Sequence, residues 1–303
     1  MKQKAFYFLL IALLSCCSSE PKNEKNPIPD KNQIISKSSS NSKNLNISIL
    51  LDLSDRIDTI KYPNPSMQFY KRDVGYLKSI AEAFSNNISN KKSRHLNDKI
   101  QIYFDPEPLN PEINSLSKDM KYHITRDNGT LDYINEVSPS YYNKSLKIYN
   151  QALNDAHYVG SDTWGFFKNK VQDYCIEDNY RNILVIITDG YIYHKDNRLS
   201  ENNLYSYITP QTIRAKGLND SNWRQIIESK KIGFIPINQD LSNLEVLVLG
   251  VNPSKVNKYD HDVLKKYWSD WLLKMGVVND NFAFKTADLP SNMDKIIKAF
   301  ISK

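Results

Sequence analysis

The segment NLNISILLDLSDR, residues 44–56, decides the fold. Leu45, Ile47 and Ile49 alternate with polar residues, and the run closes apolar at Leu50 and Leu51 before Asp52. This pattern predicts a largely buried strand whose carboxyl end carries Asp52, Ser54 and Asp55. A second segment ends in the same way. Ile183 to Ile187 is the cleanest central strand in the chain, and it runs into Thr188-Asp189-Gly190. In an open α/β sheet, sites form beyond the carboxyl ends of strands, at the point where strand order reverses. Two acidic strand ends therefore direct attention to one edge of one sheet.

Outward from these two strands, apolar periodicity alternates between helix and strand. Tyr70, Val74, Leu77, Ala81, Phe84 and Ile88 recur at spacings of three and four and predict a helix over 69–88. Strands are expected at 99–104 and 120–125, with a Pro- and Asn-bearing loop over 105–118 between them. Leu146, Tyr149, Leu153 and Ala156 predict another helix, and Trp164, Phe167, Val171 and Tyr174 one more. A strand over 245–251 precedes a helix with a wide apolar face from Val263 to Met275. A short strand over 282–285 and a closing helix through Met293, Ile297 and Ile301 complete the chain. The alternation predicts an α/β domain over 45–303: a doubly wound, mostly parallel sheet with helices on both faces.

Between Gly190 and Trp223 no period is clear, so a long loop insertion is expected at about 190–222. It holds Tyr191, Tyr193, Tyr205 and Tyr207 with Arg198 and Arg214, and it leaves the strand end that bears Asp189. Loops of this length inside compact domains are usually functional or disordered, and Tyr and Arg are enriched at binding hot spots. The alternative is a structural excursion whose tyrosines pack on the sheet edge.

Composition narrows the classes. Hydrophobic residues make up 40% of 303, a globular level, and a formal charge of +6 is too mild to argue for a nucleic-acid partner. Cys175 lies in an apolar helical pattern and reads as a small buried hydrophobe, so no structural disulfide is expected. The sequence holds no Gly-x-Ser-x-Gly elbow, Walker loop, His-Glu-x-x-His or dinucleotide glycine triplet. His95, His123, His157, His194 and His261 are scattered without ligand spacing. The chain is therefore expected not to be an enzyme. A metal-dependent phosphoesterase remains an alternative, because Thr-Asp-Gly also occurs in such enzymes and Asp52 could serve as nucleophile.

The amino terminus has its own pattern. Lys2 and Lys4 precede ten apolar residues, Ala5 to Leu14, too few to span a bilayer and suited to a signal-peptide core. Leu13-Leu14-Ser15-Cys16 resembles the lipobox of bacterial lipoproteins. The resemblance implies a signal peptide over 1–15, cleavage before Cys16 and lipid on Cys16, which anchors the chain to a membrane. Residues 18–44 are mostly Ser, Asn, Lys, Glu and Pro and read as a flexible tether over 16–44, spanning about 25–30 Å as a coil. Cys17 follows the lipidated Cys where an Asp would favour inner-membrane retention. The expected location is thus the cell envelope, on the outer membrane in preference to the inner.

Taken in order, Asp52-x-Ser54 after one strand, Gly160-Ser161-Asp162-Thr163 before a helix and Asp189 after a later strand resemble the von Willebrand factor type A (vWA) domain. The resemblance implies a doubly wound sheet with an antiparallel edge strand and a metal-ion-dependent adhesion site. In that site Asp52, Ser54, Thr163 and Asp189 would hold Mg²⁺ or Mn²⁺ by oxygen alone, and a partner protein's carboxylate would fill the open position. Arg56 departs from the pattern, standing where a second Ser would be. Two readings stay open. Arg56 swings outward and a metal binds with extra waters, or its guanidinium replaces the metal between Asp52 and Asp189. The function expected is a membrane-anchored protein-binding module, for adhesion or assembly, with Asp55, Arg56, Tyr191 and Tyr193 at the contact. A structural component of an envelope assembly is the further alternative.

Overall fold

The structure, a computed structural model, describes residues 43–155 and 161–303. The expected signal peptide, Cys16, Cys17, the tether as far as residue 42, and His157 lie outside the described residues. The chain runs β1 (Asn44–Leu51), α1 (Phe69–Ser89), β2 (Asn97–Tyr103), α2 (Pro111–Lys118), β3 (Tyr122–Thr125) and α3 (Leu131–Asn154). It continues through α4 (Thr163–Asn169), α5 (Val171–Cys175), β4 (Tyr180–Ile187), β5 (Ser200–Glu201), β6 (Leu204–Tyr205), α6 (Pro210–Ala215) and α7 (Trp223–Lys230). The last elements are β7 (Gly233–Phe234), β8 (Leu244–Val251), α8 (Asp260–Lys274), β9 (Phe282–Thr286) and α9 (Pro290–Ile301).

This is an α/β domain on a mixed six-stranded sheet of order β3-β2-β1-β4-β8-β9. β3 runs antiparallel to β2, and every other neighbouring pair is parallel. The chain moves outward from β1 to β3 on one side, then returns to place β4 on the other side of β1. Strand order therefore reverses between β1 and β4. These two pair along their whole length, from Asn44↔Tyr180 to Leu51↔Ile187, so both end at the same level.

Alternation along the strands sorts the core. Ile47, Ile49 and Leu51, with Ile183, Val185 and Ile187, pack under α1, α3 and α9. Leu50, Leu184, Ile186, Val246 and Val248 pack on the opposite face with α4, α5 and α8. Trp268 and Trp271 of α8 are fully buried there, and an aromatic burial of this kind stabilises by about 2–3 kcal/mol. Two polar side chains are buried in β1: Asn46 donates to Asn182 Oδ1 at 2.9 Å and to the Cys175 carbonyl at 3.1 Å, while its own Oδ1 and the Ser48 hydroxyl have no hydrogen-bond partner among the described residues. Cys175 itself is buried and free, as expected.

Four local expectations change. The stretch 105–118 contains α2, started by Asn110, whose side chain accepts from the Glu112 N–H, and by Pro111 in the first turn. α3 begins at Leu131 after the Thr130 cap and continues through Pro139, well upstream of the apolar positions that predict it. The helix over 163–175 is divided at Lys170 into α4 and α5. The insertion is structured. β5, β6 and β7 form a small three-stranded sheet, and α6 follows, opened by a Thr209/Thr212 capping box. Among the described residues no helix is long and apolar enough to cross a membrane.

Candidate functional site at the carboxyl edge of the sheet

Asp52 leaves β1 with its backbone N–H still bonded to the Ile187 carbonyl at 3.0 Å, a continuation of the β1–β4 ladder. Its Oδ1 accepts the Ser54 N–H at 2.7 Å and its Oδ2 accepts the Thr188 hydroxyl at 3.0 Å. The end of β1 is thereby tied to the end of β4. A single 3-10 turn follows over Asp55–Ile57, closed by Ile57 N–H to Ser54 O at 3.0 Å. The turn carries Arg56 back under the edge, where it is only 5% exposed.

There the guanidinium meets two carboxylates. Arg56 Nη2 donates to Asp73 Oδ2 at 2.5 Å and to the Ile187 carbonyl at 3.4 Å, while Nε lies 3.6 Å from Asp52 Oδ2. Tyr149 of α3 donates its hydroxyl to Asp73 Oδ2 at 2.9 Å. One cation thus joins the ends of β1 and β4 to α1 and, through Asp73, to α3. Burial opposes the charge on Arg56, but Asp73 and Asp52 outweigh it and hold the guanidinium above its ordinary value. For Asp73 burial wins: it raises the carboxyl although Arg56 and the Tyr149 hydroxyl bond pull it down.

Asp189 is half-buried on the neighbouring strand end, its Oδ1 accepting the Tyr191 N–H at 2.9 Å. Burial, with the charge of Asp52 added, pushes its carboxyl up to about 7, against the pull of Arg56. Asp52, Arg56, Thr188 and Asp189 therefore share one edge. The guanidinium neutralises the pair Asp52 and Asp73, whereas the sequence reading pairs Asp52 with Asp189. Asp73 and Tyr149 were missed as site residues. Asp73 falls three, four and seven residues before the buried Tyr76, Leu77 and Ile80, so a charge on the apolar stripe of α1 was the available sign.

Thr163 is buried in the first turn of α4, which Asp162 caps by accepting the Gly165 N–H at 2.8 Å. The Asp162 N–H bonds to the Asp105 carbonyl beyond β2, so this turn stands at the same sheet edge. Among the described residues, however, no hydrogen bond or ion pair joins Thr163 to Asp52, Ser54 or Asp189. A divalent cation would need an oxygen-only shell at Asp52. The side chains present do not fit one. Each oxygen of Asp52 accepts one hydrogen bond and keeps a lone pair, but the buried Arg56 guanidinium stands 3.6 Å from Oδ2, and its charge repels a second cation there.

Of the four residues expected at a partner contact, two face solvent. Asp55 is exposed beside Lys61, at 3.3 Å, and Tyr193 is 46% exposed. Arg56 is turned into the domain. The Tyr191 hydroxyl donates to Asp260 Oδ2 at 2.9 Å and accepts the Ser254 N–H at 2.9 Å, which fastens the insertion to the start of α8. Around them, the loops leaving the parallel strands expose large apolar side chains. Ile60 (89%) and Tyr62 follow β1, Leu109 follows β2, Tyr193 follows β4, Val256 (86%) follows β8 and Leu289 follows β9.

No family model matches the chain, and no curated protein matches it. Among solved structures it is similar to proximal thread matrix protein 1 from the mussel byssus, at 11% identity and a TM-score of 0.35. That likeness covers 86% of this chain and 48% of the other, so the chain spans about half the length of that protein.

Proposed function

We propose that this chain is a lipid-anchored envelope protein whose α/β domain, vWA-like and doubly wound, binds another protein at the carboxyl edge of its sheet without a metal. The observation that carries this reading is the set of apolar side chains exposed on every loop leaving that edge, Ile60 and Val256 foremost. Large apolar side chains exposed on successive loops of one edge are the kind of feature that marks a contact surface. Strand order reverses between β1 and β4, the place where open α/β sheets bind their ligands, and the antiparallel β3 is what the vWA resemblance implies for an edge strand. Arg56 takes the place of the metal by neutralising Asp52 and Asp73.

The anchor follows from Leu13-Leu14-Ser15-Cys16, and labelling cells with a radioactive fatty acid tests it: label is expected on the native chain and absent from Cys16→Ala. The contact is tested by cross-linking on intact membranes followed by capture of this chain. A protein neighbour in fixed stoichiometry is expected with the native chain and lost with Ile60→Asp combined with Val256→Asp. Unchanged capture by that double variant overturns the reading.

A further inference from the structure

The insertion presents a second feature at this edge. Tyr193, Tyr205 and Tyr207 form a row of rings meeting edge to face, Tyr193 and Tyr207 at 6.5 Å and Tyr205 and Tyr207 at 5.8 Å between centroids. Two cations are interleaved with them. The Arg198 guanidinium lies 5.8 Å from the Tyr193 ring and 5.7 Å from the Tyr207 ring, and Lys216 Nζ lies 3.3 Å over Tyr205. Arg198 is exposed, and among the described residues neither cation has a carboxylate partner.

The row is held from beneath. Ile192 and Ile208, both buried, exchange backbone hydrogen bonds of 3.1 and 2.8 Å. Ser206 donates its hydroxyl to the Asn197 carbonyl at 2.6 Å and accepts the Leu199 N–H at 2.8 Å. Tyr205 lies on β6, which pairs with β7 through Tyr205↔Phe234. The tyrosines are therefore fixed before any partner arrives.

We infer that the Tyr193–Arg198–Tyr207 row binds an acidic peptide segment of the partner protein, with Arg198 gripping an Asp or Glu carboxylate. The guanidinium lies within cation–π reach of two rings that stand at 90° to each other, with no carboxylate partner among the described residues, and a planar fork matches a carboxylate with two parallel bonds. The ordering cost of a long side chain is met in the free protein, so more of the contact energy reaches affinity. The rings on either side, with half-exposed Leu199, give apolar contact to the methylenes that flank an acidic residue. This inference rests on the protein-binding reading above and adds the chemistry of the partner.

The test is fluorescence anisotropy with the full chain in detergent and two labelled peptides, one alternating Glu with Tyr and one with Gln in place of each Glu. Saturable binding of the Glu peptide is expected, weaker by about tenfold for the Gln peptide and by about tenfold in Arg198→Ala, the size of one charge-assisted pair. Arg198→Lys keeps the charge without the fork and is expected to fall between. Circular dichroism confirms that each variant is folded, and Arg198→Gln replaces any that is not. Failure of the Glu peptide to bind, equal binding of the Gln peptide, or equal affinity in Arg198→Ala overturns the inference. Inorganic phosphate displacing the Glu peptide as well as unlabelled peptide does overturns it also, in favour of a general oxyanion site. Capture of a neighbour that depends on Ile60 and Val256 would survive any of these failures, so the two readings fall separately.

Discussion

Removing the guanidinium of Arg56 would leave Asp52 and Asp73 buried without a counter-charge. An unpaired buried charge of this kind costs about 3–5 kcal/mol. Urea denaturation of Arg56→Ala is expected to show a loss of that size. Replacing the pair with apolar residues is a different case, since Asp52 keeps its bonds from Ser54 and Thr188. Arg56→Met with Asp73→Leu is therefore expected to recover most of the loss. Asp189 makes a prediction of opposite kind. Its folded value of about 7 lies above the ordinary 3.8, so between those limits the folded state binds the extra proton. Its contribution to stability is present below about pH 4 and lost as pH rises through 7. Asp189→Asn is expected to flatten that decline and to be the more stable form at pH 8, by on the order of 1 kcal/mol, which thermal melts across pH would read. Sequence alone could place Asp52 and Asp189 at strand ends, because apolar runs that stop at an acid are local. The partner of Arg56 was not readable in the same way. Asp73 reaches it only because α1 packs across β1, a contact set by tertiary geometry.

At the scale of elements, strands and helices with strong apolar periods lie close to where the sequence puts them: β1, β4 and β8 are buried runs bounded by polar residues, and α1 and α9 keep three- and four-residue spacing. Elements that the sequence hides have physical reasons for it. α2 is short, with Ile113 its one buried residue, so its period is weak and only Asn110-Pro111 announces it. α3 carries Pro139 in its interior, a residue that usually ends a helix, yet packing of Ile134, Val137 and Tyr141 holds the chain helical on both sides. The insertion lacks a period because β5 and β6 are two residues each and α6 buries only Ile213, so isolated bridges and side-chain ties hold much of it. Tyr191 is one of these, bonded to Asp260 and Ser254. Tyr191→Phe is expected to cost about 1–2 kcal/mol and to speed amide exchange over 190–209 while sparing β4, a pattern hydrogen-exchange mass spectrometry would resolve.

For the whole molecule, the direction of β1 matters most. β1 starts at Asn44 and ends at Leu51, so Asn44 lies at the edge opposite Asp52 and Asp189. The α/β class was readable from alternation; the use of this edge rests on residues far apart in sequence. The most direct measurement is membrane cross-linking and capture carried out once in chelator and once with Mg²⁺ added. Equal recovery of the same neighbour in both, and its loss in Ile60→Asp/Val256→Asp, is the predicted result. Recovery that appears only with Mg²⁺ and vanishes in Asp52→Ala would contradict it, placing a metal where Arg56 is held to stand in its stead.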